Sequence, residues 1–165
     1  MDNSPKVLIM MGSDSDLPVM QEAADILAKF GVPYEIRISS AHRSPARTMT
    51  LASEAAGRGI RIIIAGAGMA AHLAGVVAAK TILPVIGVPM PGGALNGVDA
   101  LYSTVQMPAG IPVATMAIGK AGSKNAGIFA VQVLALTDTR LDAALKAYRR
   151  EMDQDVEAKD AALQG

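Results

Sequence analysis

Apolar and polar positions fall in blocks along the chain, and the blocks change period as strands and helices do. Lys6 to Met11 reads as a strand buried on both faces, on the unbroken apolar run Val7-Leu8-Ile9-Met10-Met11. Over residues 17–30 the period becomes helical: Met20, Ala23, Ala24, Ile26, Leu27 and Phe30 share one face, and Gly31 supplies the stop. Residues 34–39 alternate and are rich in β-formers. Ser44-Pro45 predicts a helix start, a Ser cap with Pro at the first helical position, running to residue 56. Residues 60–65, 84–88 and 112–118 read as further strands, and residues 70–80 as a short helix of small side chains. Residues 89–110 are rich in Pro and Gly, with a short helix over 98–105; so long a connection in a compact domain usually carries function. Helices are predicted over 125–136 and 139–162, the last opened by a Thr139–Asp142 capping pair. That helix turns polar after Arg149, so its end either frays or packs on another chain.

Five nearly apolar strands alternating with helices argue for a parallel sheet covered on both faces. Right-handed crossovers leave few topologies. The expected fold is α/β, a three-layer sandwich with a flavodoxin-like parallel sheet of about five strands and a long C-terminal helix. It is expected to be one domain over residues 1–165, with its core in 6–136 and the final helix at 139–162. A ligand crevice is expected at the carboxyl ends of the strands.

Composition narrows the classes. Net charge is zero and aromatics are only 3%, which disfavours non-specific nucleic-acid binding. With no cysteine there is neither a disulfide frame nor a thiolate metal site. No apolar run reaches the ~18–20 residues of a membrane span. Residues 1–6 are short, polar and unlike a signal peptide, so a cytoplasmic location is expected.

The chemistry gathers in loops after strands. Gly12-Ser13-Asp14-Ser15-Asp16 offers hydroxyls and a helix N-terminus to a phosphate, and Asp16 can accept from ribose hydroxyls or cap the helix. An Asp-x-Asp there also resembles phosphotransferases with an aspartyl nucleophile or a Mg²⁺ site. Ser40-Ala41-His42-Arg43-Ser44-Pro45 holds one of only two histidines. Imidazole titrates near ~6.5, which suits proton transfer, and Arg43 presents a planar fork to phosphate or carboxylate. The second histidine, His72, follows Gly66-Ala67-Gly68-Met69-Ala70-Ala71. Two histidines alone are too few for a catalytic zinc. The Gly-x-Gly of that segment lacks the acidic ribose partner expected ~20 residues on; its small residues instead admit a compact ligand or close helix packing. Residues 106–112 and 119–126, with Lys120 and Lys124, are expected at the crevice rim. Unaided, these residues read as an α/β enzyme acting on a small phosphorylated substrate by histidine acid/base chemistry.

Together, residues 11–16, 40–45, 65–75, 84–89 and 105–114 resemble one family, the N5-carboxyaminoimidazole ribonucleotide mutases of bacterial purine biosynthesis, within the aminoimidazole ribonucleotide carboxylase family. The resemblance spans roughly residues 6 to 150 and implies carboxylate transfer from the carbamate nitrogen to C4 of the imidazole ring. It implies no ATP, metal or organic cofactor, a small ribonucleotide substrate, no nucleic-acid or membrane partner, and a homo-octamer with the final helix on a neighbouring subunit. Carried over, His42 is the general acid/base. Ser13 and Asp16 contact the ribose-phosphate, Arg43 helps hold the phosphate, and Ser40 and Ala41 line the same loop. Gly68, Met69, Ala70 and His72 shape the end that holds carboxylate and CO₂. The family usually has Gly at position 69, Pro at 74 and Thr at 44. A related branch carboxylates aminoimidazole ribonucleotide directly and commonly has Lys after the histidine, so Arg43 favours the mutase. Direct carboxylation and a non-catalytic nucleotide-binding module are the competing readings.

Overall fold

In a computed structural model, residues 4–164 are described, so the reading of residues 1–6 falls partly outside the described residues. The chain divides into two compact units, Met1–Ala130 and Val131–Gly165.

The first unit holds the sheet. Its strands are β1 (Val7–Met11), β2 (Tyr34–Ile38), β3 (Ile62–Ala67), β4 (Val85–Pro89) and β5 (Ala114–Thr115), in the order β2-β1-β3-β4-β5, all parallel. This is the flavodoxin-like order, and it reverses between β1 and β3, where such folds open a crevice. β1, β4 and the first five residues of β3 are wholly buried, as their unbroken apolar runs require. Between the strands run α1 (Leu17–Lys29), α2 (Pro45–Glu54), α3 (Leu73–Ala78) and α4 (Val98–Val105), followed by α5 (Lys120–Ala135).

Each face of the sheet has its own packing. Leu8, Met10, Ile63, Ala65 and Val85 form one cluster with Ala52 of α2 and with Leu73, Ala74 and Val77 of α3. The next residues along the same strands face the other way, toward α1. A Cβ on Gly66 would lie 2.5 Å from Met20 Sδ and 2.6 Å from Met90 Cε, so a side chain there would displace both methionines. The start of α5 is tied to α1: the amide of Ala23 donates to the buried Ser123 hydroxyl at 3.2 Å.

The departures from expectation lie at element ends. β3 begins at Ile62 and runs through Gly66 and Ala67, because its register is set by pairing Val7 with Ile62 and Met11 with Gly66. Gly66 is therefore a strand residue, not the turn of a dinucleotide loop. α3 is only six residues long. β5 shrinks to two residues against Ile86 and Gly87. α5 starts five residues early, at Lys120. Gly122 makes that start feasible, since a Cβ there would meet the Ala117 carbonyl oxygen at 1.6 Å. Ser44 precedes α2 but does not cap it; its hydroxyl turns back to Ser40.

The second unit contains the end of α5 and α6 (Thr139–Gln164). The cap of α6 is Asp138 rather than Thr139: its carboxylate accepts from the amides of Arg140 at 2.9 Å and Leu141 at 3.2 Å. An Asp at this place also meets the positive end of the helix dipole. Lys146–Asp142 and Lys159–Asp155 pairs line the helix at i,i+4 spacing. Residues 151–164 are all exposed, among them Val156 and Leu163. Among the described residues no helix is long and apolar enough to cross a membrane.

Candidate active site

The loops leaving the carboxyl ends of β1, β2, β3 and β4 converge on a cavity of about 490 Å³, within the ~300–1,000 Å³ usual for small-molecule sites. Ser13, Asp16, Ser40, Ala41, His42, Arg43, Gly68, Met69, Ala70 and His72 all line it. So do Met90, Pro91, Gly92 and Gly93, which the sequence marked only as the start of the long Pro/Gly-rich connection 89–110 and not as site residues. Their signal was positional: they directly follow an apolar strand, as the other three loops do. Lys120, Lys124 and residues 106–112 do not line it. Lys120 instead lies 3.6 Å from Glu22.

The loop after β1 closes on itself. The Ser13 hydroxyl accepts from the Ser15 amide at 3.3 Å, and Asp16 Oδ2 accepts from the Ser13 amide at 3.1 Å, a reciprocal capping box around a single 3-10 turn. Asp16 is thus a cap and a cavity residue at once. Burial pushes its carboxyl above the usual 3.8, against the pull of the Ser13 and Gly12 amides; Asp14 adds to the rise and Arg43 opposes it.

The loop after β2 is also closed by its own hydroxyls. Ser44 Oγ accepts from the Ser40 amide at 3.0 Å and donates to the Ser40 carbonyl at 3.1 Å. Ser40 Oγ accepts from the Arg43 amide at 3.1 Å. Thr at this position would keep the hydroxyl that makes both bonds. From this frame the Arg43 guanidinium donates to the Gly12 carbonyl at 3.0 Å, strapping the first loop to the second.

The loop after β3 is built differently. Met69 has φ +54°, a left-handed backbone that costs a side-chain-bearing residue about 1–2 kcal/mol. Glycine at this position would carry no such cost. The Met69 side chain is 64% exposed and reaches across the cavity edge, so that a Cβ on Gly93 would sit 3.5 Å from its Cγ. It therefore lies over the loop after β4, and half-buried Ala67 with buried Leu73 and Met90 gives the cavity its apolar floor.

These loops bring the two histidines together from positions thirty residues apart. His42 Nε2 lies 2.8 Å from His72 Nδ1, with the rings edge to face at 80°. One nitrogen donates and the other accepts, so the pair holds a proton between them at the cavity wall. Among the described residues no three His, Cys, Asp or Glu side chains converge as a metal site would need. The cavity thus combines a guanidinium, a carboxylate, a proton-sharing imidazole pair and an apolar floor. That set can hold a phosphorylated, hydroxylated molecule and move one proton on it.

Comparison with known proteins agrees in extent. The family model described as AIR carboxylase matches residues 6–155. An N5-carboxyaminoimidazole ribonucleotide mutase of Pyrococcus horikoshii is 56% identical over 160 residues, covering 97% of this chain and 89% of that protein. A phosphoribosylaminoimidazole carboxylase of Schizosaccharomyces pombe is 56% identical over 98% of this chain, which corresponds to 29% of that longer protein. A crystal structure of Treponema denticola PurE superposes with a TM-score of 0.88 at 30% identity, covering 98% of this chain and 99% of that one. With five parallel strands, four convergent loops and a family match over nearly its whole length, this chain belongs to the AIR carboxylase family.

Proposed function

We propose that the chain converts N5-carboxyaminoimidazole ribonucleotide to 4-carboxy-5-aminoimidazole ribonucleotide in purine biosynthesis, acting as an isomerase. The observation that carries the reading is the His42–His72 contact at the wall of the cavity. Ser13 and Asp16 engage the ribose-phosphate, Arg43 neutralises the phosphate, and His42 delivers the first proton to the carbamate nitrogen. The protonated carbamate breaks its N–C bond and releases CO₂, leaving an electron-rich ring carbon. A small apolar floor holds CO₂ beside C4, which raises its effective concentration and keeps water away. C4 attacks CO₂, and the carbon then carries both the new carboxylate and its original hydrogen. His42, now neutral, removes that hydrogen and is restored to its starting state. His72 sits beside it and orients both the imidazole and the transferred carboxylate.

The same reading makes the protein a cytoplasmic homo-octamer without metal or organic cofactor, with α6 packed on a neighbouring subunit. The exposed Met152, Val156 and Leu163 of α6 and the fully exposed Ile82 support such contacts. Direct carboxylation of aminoimidazole ribonucleotide is the alternative favoured by the fission-yeast relative's name. Each substrate is to be supplied separately to the purified protein, with chelator present, ATP absent and bicarbonate controlled. Turnover of the carbamate ribonucleotide is expected. Turnover of aminoimidazole ribonucleotide alone, dependent on bicarbonate, would replace the mutase reading with the carboxylase.

A further inference from the structure

Ser103 lies on α4, outside the cavity lining, yet it reaches the loop that carries His72. Its hydroxyl accepts from the Ala71 amide at 3.0 Å. The same hydroxyl lies 2.7 Å from the Asp99 carbonyl, its shortest contact, 3.3 Å from that of Ala100 and 3.4 Å from that of Met69. Ala71 is buried, with 1% of its surface exposed, and its amide lies in a non-helical stretch between β3 and α3. Two residues earlier stands Met69 in its left-handed conformation. One residue later stands His72, whose Nδ1 meets His42 Nε2.

We infer that Ser103 is a positioning residue: by holding the Ala71 amide it keeps the 69–71 backbone, strained at Met69, in place and so sets His72 against His42. The physical reason is an accounting of donors. Without the hydroxyl, a buried N–H loses its partner next to a backbone that already favours another conformation. The loop then relaxes at Met69, and His72 moves off His42. Glycine at position 69 removes the tendency to relax, so the need for the pin should fall with it. The inference goes beyond the proposed reaction but uses its assay, so one readout independent of substrate is included.

The experiment compares wild type, Ser103→Ala, Ser103→Thr, Met69→Gly and the double variant Met69→Gly/Ser103→Ala. Imidazole ¹⁵N spectra are read first, and with only two histidines each ring can be assigned. In Ser103→Ala the shift pattern of the shared hydrogen bond should be lost while the thermal melt stays cooperative. In turnover, Ser103→Ala should lower kcat about tenfold with a smaller change in KM, the scale of one unsatisfied buried donor. Ser103→Thr should retain most of the rate. On the Met69→Gly background the same Ser103→Ala change should cost less than about threefold, a coupling that a double-mutant cycle isolates. Unchanged histidine spectra in Ser103→Ala would overturn the inference, as would an equal loss on both backgrounds. Inactive wild type would count against the proposed reaction alone, because the spectra still test the pin.

Discussion

The two histidines sit on loops that are held in opposite ways. The loop of residues 40–44 supplies its own ties: Ser40 and Ser44 satisfy its amides and carbonyl, and no residue in it has a left-handed backbone. The loop of residues 68–72 contains Met69 at φ +54° and takes its anchor from Ser103, more than thirty positions away. The first is stiff through local hydrogen bonds that its sequence encodes. The second, on the inference above, is held through a remote helix. The proposed reaction, which holds CO₂ and moves one proton in the same cavity, needs both loops to keep their places at once. The contrast also separates roles: a change in the first loop should act on chemistry and binding directly, and one in the second should act through geometry.

The largest expected effect is at His42. His42→Asn should reduce turnover by at least ~10²–10⁴-fold, the usual share of a general acid/base. Binding of the ribonucleotide, followed by calorimetry, should survive because Arg43, Ser13 and Asp16 are untouched. Full activity in that variant would remove the assigned chemistry from the first loop.

A smaller effect is expected at Met69, and here the two loops should respond by different amounts. Met69→Gly removes a left-handed cost of about 1–2 kcal/mol, less the extra freedom glycine gives the unfolded chain. The melting temperature should therefore rise, by roughly 2–4 °C for each kcal/mol gained. Ser44→Thr keeps the hydroxyl of the first loop and should leave the melt nearly unchanged. A lower melting temperature for Met69→Gly would mean that the methionine side chain contributes more across Gly93 than its backbone costs.

The smallest effect concerns Asp16, which closes its own turn as the 40–44 loop does. Its carboxyl is raised above 3.8 by burial, so in the pH window just above that value the folded state binds more protons than the unfolded one. Stability then falls as pH rises through the window, because ∂ΔG/∂pH follows the protons of the unfolded minus the folded state. Asp16→Asn should flatten that slope in urea titrations run from about pH 3 to 6. A slope that persists unaltered would assign it to other carboxyls.

Most of the framework is legible in the sequence. The runs at residues 7–11 and 84–88 are so uniformly apolar that only a doubly covered strand accommodates them, and the face containing Met20, Ala23 and Leu27 has one helical reading. The loops after β1, β2 and β3 were marked by Gly, Ser, Asp and His following those runs. Element ends were less legible, since register decides them: β3 starts at Ile62 because it pairs from Val7 onward, and apolar character alone gave Ile60 equal claim. The α6 cap went to Asp138 instead of Thr139 because either side chain is a good cap by type, and the chain path chose.

The sequence by itself determined the alternation of strands and helices, the parallel sheet, the loops that carry chemistry and the family. These depend on burial and on neighbours within a few positions, which a linear pattern records. Only the tertiary structure decided that His42 and His72 meet at 2.8 Å, that residues 90–93 form the fourth wall, and that Ser103 holds Ala71. Those contacts join residues distant along the chain, and their geometry follows from strand order and helix docking. Met69 shows the boundary. Its departure from glycine was visible in the sequence, but only the backbone angle showed what glycine would relieve, and only the folded chain showed that the Ser103 hydroxyl meets the amide two residues on.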